Sequence, residues 1–193
     1  MLPPGHKLKA GLLGLRLVLT NQFLRSFVSL IARARLTSGA LLALDFPAKP
    51  PETTAAPDGL AEALGGAGPA HVLSYDKLFC VFETAGEVKK LVPDMRLLAA
   101  LDFDGVVVTA PGGDGIDFVS RYFAPAKGID EDPVTGGAHC LLVPYWAKRL
   151  GKSKLVGRQV SARGGTVHGE DRGARVTLAG TAHFYMEGRI FLP

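Results

Sequence analysis

The residues best placed to do chemistry in this 193-residue chain lie in the stretch GIDEDPVTGGAHC, residues 128–140. Three consecutive acidic residues precede Pro133, and the glycine pair Gly136–Gly137 stands where a helix is predicted to begin. The start of a helix presents free backbone N–H groups and a partial positive charge, and glycine lets a ligand approach the backbone closely. The pattern therefore predicts a site for a carboxylate or phosphate at the helix start.

Asp132 is the acidic residue that this arrangement places beside the predicted anion site, because it lies four residues before Gly136. A carboxylate at that position can give or take a proton at a carbon next to a bound substrate carboxylate. The alternative is structural: an aspartate that caps the helix after a surface loop. Local features alone favour the cap. Asp130 and Glu131 are interpreted as solvated loop charges.

The segments around this loop predict an α+β domain in which a curled sheet wraps one central helix. The helix is predicted over 138–151, because Lys148, Arg149 and Gly151 are typical of a helix C-terminus. Pro144 removes one helix hydrogen bond and is expected to kink the helix. Shorter helices are predicted over 56–66 and 92–101.

Strands are predicted on both sides of the central helix. Phe118, Ser120 and Tyr122 are expected to share one face of their strand, because side chains alternate between the two faces. The predicted strands before the helix lie within 38–51, 70–84 (two strands joined by a turn), 105–111 and 116–125. Those after the helix lie in RQVSARGG, TVHGE, ARVTLAG and AHFYMEGRIF.

Charge is distributed unevenly along the chain. Of the 22 Lys and Arg residues, six lie in the first 40 positions, which contain no Asp or Glu, so 16 basic residues face 18 acidic ones in the remainder. The remainder therefore lacks the excess of basic residues typical of a nucleic-acid-binding domain, and no nucleic-acid partner is expected. Residues 1–36 are interpreted as an atypical basic segment, and residues 37–190 as the folded region.

The basic segment mixes apolar runs with Arg16 and Arg25, which leave no uncharged stretch long enough to span a membrane. Its composition is similar to that of a mitochondrial transit peptide; a buried helix of a truncated domain and a non-native start are the alternatives. We expect a cytoplasmic protein, with a mitochondrial one as the alternative. Cys80 and Cys140 are interpreted as free thiols, and the spacing of the five histidines predicts no metal site.

Residues 118–152, FVSRYFAPAKGIDEDPVTGGAHCLLVPYWAKRLGK, resemble the signature stretch of the phenazine biosynthesis PhzF-like family, in particular its animal members. The family pattern is Arg-aromatic-Phe-x-Pro, then Glu-Asp-Pro-Val-Thr-Gly-Ser-Ala-His, then a helix with Tyr-Trp. Downstream, RQVSARGG resembles the family's Gln-x-Ser-x-Arg-Gly-Gly segment, and LTSGALLALDFPAKPP resembles the end of its first domain. The resemblance covers about residues 36–190. The matching signature residues are Arg121, Tyr122, Phe123, Pro125, Glu131, Asp132, Pro133, Val134, Thr135, Gly136, Ala138, His139, Tyr145 and Trp146.

This resemblance implies a fold similar to that of diaminopimelate epimerase, with two pseudo-symmetric halves and a cleft between them. It also implies cofactor-free isomerisation of a small cyclic carboxylic acid by proton transfer. Asp132 would then be the acidic residue of the second half, and Gly136 and Gly137 would bind the substrate. Thr135 and His139 would be supporting substrate-binding residues, with a purely local hydrogen bond as the alternative for His139.

Two departures from the family pattern bear on activity. Gly137 stands where the family has serine, and the family's Ser-Glu-Thr-Ala-Phe segment, which carries its principal proton-transfer glutamate, does not occur in the sequence. The alternative function is therefore a catalytically impaired member that binds a small acid or a protein. A short first half would expose a sheet edge, so we expect self-association, such as a homodimer.

Overall fold

The computed structural model describes residues 35–36, 41–66 and 68–181. Helices in these ranges are α1 (Leu60–Ala63), α2 (Ala85–Lys90), α3 (Met95–Ala99) and α4 (Gly136–Leu150), and a 3₁₀ turn spans Pro125–Lys127. Strands are β1 (Arg35–Leu36), β2 (Leu41–Pro47), β3 (Glu52–Thr53), β4 (His71–Ser74), β5 (Leu78–Val81), β6 (Val106–Pro111), β7 (Phe118–Ala124), β8 (Ile129–Glu131), β9 (Lys154–Gln159), β10 (Gly165–Asp171) and β11 (Arg175–Thr181). Among the described residues, we find no helix with the length and apolar character that a membrane crossing requires.

The described strands form one mixed sheet in the order β1-β2-β11-β10-β9-β7-β6-β5-β4-β3, and β8 pairs with β7. Most neighbouring strands are antiparallel, but β5 runs parallel to β6 and β7 runs parallel to β9. Parallel neighbours require a crossover connection rather than a tight turn. Helices α2 and α3 provide the first crossover, and α4 provides the second.

The sheet curls around helix α4. One buried cluster contains Leu142 and Trp146 of α4 together with Leu73 of β4 and Val176 of β11. Because β4 and β11 lie far apart in the strand order, only a curled sheet can bring both against the same helix. The predicted architecture, a curled sheet wrapped around a central helix, is confirmed. The predicted C-terminus is also confirmed, since Gly151 ends the helix at φ 66°.

The three short helices cover the opposite face of the sheet. Leu64, Val88 and Leu98, from the ends or interiors of α1, α2 and α3, are buried in a second cluster with Val108 and Phe123. The sheet therefore separates two apolar layers, and α4 belongs to only one of them.

Strand β7 contributes alternately to the two layers. Phe118 and Tyr122 belong to the cluster around α4, whereas Val119 and Phe123 belong to the second cluster. Ser120 lies between Phe118 and Tyr122 in this alternation and is also buried. The predicted common face of residues 118, 120 and 122 is thus confirmed.

One prediction of secondary structure was wrong in detail, and one helix was missed. RQVSARGG was expected to be a strand, but β9 ends at Gln159, and the chain then turns: the Ser161 hydroxyl accepts the Gly164 N–H at 3.0 Å. Helix α2 was not predicted; a capping box between Thr84 and Glu87 begins it. AHFYMEGRIF and residues 1–34 lie outside the described residues.

Candidate functional site

The loop before α4 holds the Asp132 side chain in a defined position. The backbone N–H of Asp132 donates to the carbonyl oxygen of Tyr122 at 3.0 Å, which extends the pairing of β7 and β8. The Thr135 hydroxyl donates to Asp132 Oδ2 at 2.6 Å. The other carboxylate oxygen, Oδ1, has no hydrogen-bond partner among the described residues. One carboxylate oxygen is therefore fixed by the loop itself, and only the other lacks such a bond.

Gln159, at the end of β9, connects this loop to the sheet. Its Oε1 accepts the Thr135 N–H at 2.9 Å, and its Nε2 donates to the Asp132 carbonyl oxygen at 2.6 Å. The side chain is completely buried. Sequence reasoning did not assign Gln159 to the site, although it is the glutamine of the RQVSARGG match and could have been found there.

The turn after β9 holds the same loop from a second side. The Ser161 hydroxyl donates to the Pro133 carbonyl oxygen at 2.7 Å. A Cβ on Gly165 would collide with Cγ2 of Val134, so only glycine allows this close approach. The loop that carries Asp132 is therefore packed against β9, β10 and the turn between them.

The glycine pair forms the first turn of α4, as predicted. Thr135 is the N-cap residue, and the first backbone hydrogen bond within the helix runs from the His139 N–H to the Thr135 carbonyl oxygen at 3.2 Å. The N–H groups of Gly136 and Gly137 come before that bond and so lack partners in the helix. Both glycines are exposed. Asp132 does not cap the helix, because its carboxylate accepts the Thr135 hydroxyl instead of a helix N–H.

His139 is completely buried one turn inside α4. Its Nδ1 donates to the Thr135 carbonyl oxygen at 2.8 Å, and burial lowers its pKa. The ring is therefore neutral near pH 7 and holds the N-cap residue in place. This position supports the local hydrogen bond that was the alternative to substrate contact.

Glu131 was expected to be a solvated charge, and this expectation was wrong. Arg121 binds both of its carboxylate oxygens, at 2.8 Å through Nε and 3.0 Å through Nη2. Arg121 also donates to the carbonyl oxygens of Val88 in α2 and of Leu91, which caps the end of that helix. The pairing of β8 with β7 brings Glu131 next to Arg121. The sequence of the loop alone does not show this pairing, so it could not predict the ion pair. Asp130, by contrast, is exposed as expected.

A group of three charged side chains lies beside the first turn of α4. Asp76 Oδ2 contacts Lys49 Nζ at 2.5 Å and Lys77 Nζ at 3.0 Å. Burial raises the pKa of Asp76, but the two lysines together outweigh burial, and the net effect is a lowered pKa. A Cβ on Gly137 would lie 3.9 Å from Lys77 Nζ. Sequence reasoning did not assign this Lys–Asp–Lys group to the site.

Cys140 and Trp146 are buried, as the sequence predicted. Burial raises the pKa of the Cys140 thiol to about 11, so Cys140 behaves as a small buried apolar residue and not as an activated thiol. Trp146 is completely buried in the core, as expected. In the described ranges, no three His, Cys, Asp or Glu side chains are grouped closely enough to hold a metal ion.

Residues 41–188 match the sequence model of a known protein family, described as phenazine biosynthesis-like protein, PhzC-PhzF. The match covers well over half of the chain. The chain belongs to the PhzC-PhzF family. The site described above lies within the matched region, and the resemblance inferred from GIDEDPVTGGAHC and its flanks is confirmed.

The chain is similar to curated bacterial and animal members of the PhzC-PhzF family. An "Uncharacterized isomerase" of Pseudomonas aeruginosa is 49% identical over 154 residues, which cover 80% of this chain and 59% of that protein. A second one from the same organism is 50% identical over 152 residues, or 78% and 58% of the two chains. The "Phenazine biosynthesis-like domain-containing protein" of Bos taurus is 40% identical over 111 residues, or 56% and 34%. The chain spans about three fifths of the length of the two bacterial relatives.

Solved structures of PhzC-PhzF proteins share this fold. A PhzF-family protein of Enterococcus faecalis superposes with a TM-score of 0.73 at 41% identity, covering 81% of this chain and 60% of that one. A putative PhzC/PhzF protein of Clostridium difficile gives a TM-score of 0.73 at 36% identity, covering 83% and 61%. The α+β fold of the PhzF and diaminopimelate epimerase type, expected from the sequence, is thereby confirmed.

Proposed function

We propose that this PhzC-PhzF family member is a cofactor-independent isomerase that moves a proton on a small cyclic carboxylic acid. The names of its bacterial relatives support the general class, isomerase. The observation that carries the specific proposal is the 2.6 Å hydrogen bond from Thr135 to Asp132 beside the exposed first turn of α4. This arrangement puts an oriented carboxylate, that of Asp132, next to a binding site for the substrate anion at Gly136 and Gly137.

In this proposal Asp132 transfers the proton. Thr135 holds Oδ2, so the side chain does not rotate freely, and Oδ1 remains free to meet the substrate C–H. A positioned carboxylate of this kind contributes about 10²–10⁴-fold to a proton-transfer rate. Gln159 and His139 act on Asp132 indirectly, because both bind Thr135 or the loop backbone.

The first turn of α4 binds the substrate carboxylate. The N–H groups of Gly136 and Gly137 are directed out of the helix start and have no helix partners, so they can donate to an anion. Removal of a proton next to a carboxylate places negative charge on its oxygens, and fixed N–H donors stabilise that charge. Since both glycines are exposed, a ligand can reach these donors.

A binding function without catalysis is the second candidate. It is favoured by Gly137, which offers a ligand only its backbone N–H, where a serine would add a hydroxyl group. In that case the loop and helix start would hold a small acid, and Asp132 would not exchange protons with it. A homodimer or another protein partner and a cytoplasmic location remain predictions.

The test is hydrogen exchange of small cyclic hydroxy and enol acids in D₂O, followed by ¹H NMR for loss of the C–H signal next to the carboxylate. Asp132→Asn keeps the size of the side chain but removes the transferable proton, and we expect exchange to fall at least about 100-fold. Asp130→Asn is the matched control, since Asp130 is exposed two residues away and should leave exchange unchanged.

Equal exchange in Asp132→Asn and wild type would overturn the role of Asp132. Binding of an acid at Gly136 and Gly137 without exchange in the wild type would establish the binding function instead. Chemical-shift changes of the two glycine amides in a ¹H–¹⁵N spectrum report that binding separately from turnover.

A further inference from the structure

Lys77 is an unusually enclosed lysine close to the proposed substrate site. Its side chain is only 13% exposed, whereas lysine side chains normally keep the ammonium group in water. It shares Asp76 Oδ2 with Lys49, so the three side chains together carry one net positive charge. Lys77 is therefore more enclosed than a lysine in an ordinary surface ion pair, and it shares its one carboxylate partner with a second lysine.

The ammonium group of Lys77 lies next to the first turn of α4. A Cβ on Gly137 would be 3.9 Å from both Nζ and Cε of Lys77, whereas a Cβ on Gly136 would meet no atom within 4 Å. The ammonium group thus flanks one side of the glycine pair, and the other side is open. A ligand that enters over Gly136 would reach both the backbone N–H groups and Nζ.

The electrostatic effect of the group extends to the same turn. Burial raises the pKa of Cys140, which is one turn inside α4; Lys49 and Lys77 each oppose that rise, and Asp76 adds to it. The positive charge of the lysines therefore adds to the partial positive charge of the helix start.

Asp76 also has an unused acceptor at this place. Oδ2 binds both lysines, but Oδ1 is buried and has no hydrogen-bond partner in the part of the chain that the structure describes. Buried acceptors normally have a partner, and here the Asp76 carboxylate is held only through the oxygen that the two lysines share.

We propose that Lys77 is a substrate-binding residue, whose ammonium group binds the substrate carboxylate together with the N–H groups of Gly136 and Gly137. Asp76 and Lys49 are positioning residues that hold Lys77 against the helix. The proposal rests on the proposed function, since it assigns a further contact to the same anion. It also explains how a glycine at position 137 is compatible with binding: the charged lysine supplies the side-chain donor that Gly137 lacks.

The experiment is a titration with benzoate, a small cyclic monocarboxylate, followed by ¹H–¹⁵N NMR. In the wild type, benzoate should shift the amide signals of Gly136 and Gly137. Lys77→Met keeps the aliphatic stem and removes the charge, and we expect about tenfold weaker binding, as for loss of a charge-assisted hydrogen bond. Lys77→Arg keeps a cation and should restore most of the affinity.

Lys152→Met is the matched control. Lys152 also forms an ion pair with one aspartate, Asp117, but its side chain is 48% exposed and it does not adjoin the glycine pair. This variant should bind benzoate as the wild type does. An equal loss of affinity in both methionine variants would mean that net charge alone is responsible, and it would overturn the role of Lys77.

Two further results separate this proposal from the proposed function. If benzoate shifts Gly136 and Gly137 equally well in wild type and Lys77→Met, the anion site stands and Lys77 has no role in it. If benzoate shifts neither glycine in the wild type, the anion site and the role of Lys77 both fail, whereas the role of Asp132 is decided by the hydrogen-exchange assay. Should Lys77→Met not fold, the ¹³Cε signal of Lys77 in the wild type gives the answer: it must move with benzoate, and an unchanged signal at saturation overturns the proposal.

Discussion

The backbone N–H of Lys49 donates a 2.9 Å hydrogen bond to the carbonyl oxygen of Cys140, in the interior of helix α4. This carbonyl is available because Pro144, four residues later, has no N–H to donate to it. A residue from the loop after β2 therefore supplies a bond that the helix lacks. As a result, Lys49 is fixed where its side chain reaches Asp76 and, through it, Lys77.

Pro144→Ala should loosen Lys49. The N–H that alanine introduces at this position would compete for the Cys140 carbonyl oxygen, and the net contribution of one such bond predicts about threefold to tenfold faster hydrogen exchange at the Lys49 amide. The measurement is native-state hydrogen exchange by NMR. The amide of Ala48 bonds to Ala174, so it is an internal control that should keep its protection. Unchanged exchange at Lys49 would contradict the argument.

Gln159→Leu should destabilise the protein and disturb the loop that carries Asp132. The change leaves the Thr135 N–H and the Asp132 carbonyl oxygen without partners in a buried place, and each unpaired group costs about 1–3 kcal/mol. We expect the free energy of unfolding to fall by about 2–4 kcal/mol in urea denaturation. Arg158→Leu, at the exposed neighbouring position of β9, should change it by less than about 0.5 kcal/mol. A similar value for both variants would show that the Gln159 bonds contribute little.

Acid should destabilise the fold through His139. Burial holds the pKa of His139 below the value of about 6.5 that it has in the unfolded chain. As the pH falls below 6.5, the unfolded state therefore takes up a proton on this histidine before the folded state does. The folded state keeps its full stability above pH 6.5 and loses part of it as the pH falls. The slope approaches about 1.4 kcal/mol per pH unit.

The measurement for His139 is urea denaturation at several pH values between 7 and 5. His139→Asn keeps a donor for the Thr135 carbonyl oxygen but removes the titration, so its stability should depend less on pH in this range. His168→Asn, at an exposed position, should retain the wild-type slope. If His139→Asn shows the same slope as wild type, another group is responsible for the pH dependence.

Several elements of the fold could be predicted because they depend on local periodicity and end signals. Strand β7 alternates between two apolar layers at Phe118 and Val119, and α4 ends at Gly151 after two basic residues. Helix α2, in contrast, is only six residues long, and its start depends on the Thr84–Glu87 capping box more than on an apolar pattern. The error at RQVSARGG has a similar cause: the chain turns after Gln159, and the Gly164 N–H donates to the Ser161 hydroxyl where residue types alone favour a continued strand.

By itself the sequence determined the family, the position of Asp132 before a glycine pair, and the helix that begins there, because these features lie within a few residues of one another. Only the tertiary structure decided which distant side chains meet them. Gln159 binds the loop across 24 residues, and Lys77 approaches Gly137 from a strand turn far earlier in the chain. The physical reason is that such contacts depend on how the sheet curls around α4 and on the register of β7 with β9, neither of which a local pattern encodes.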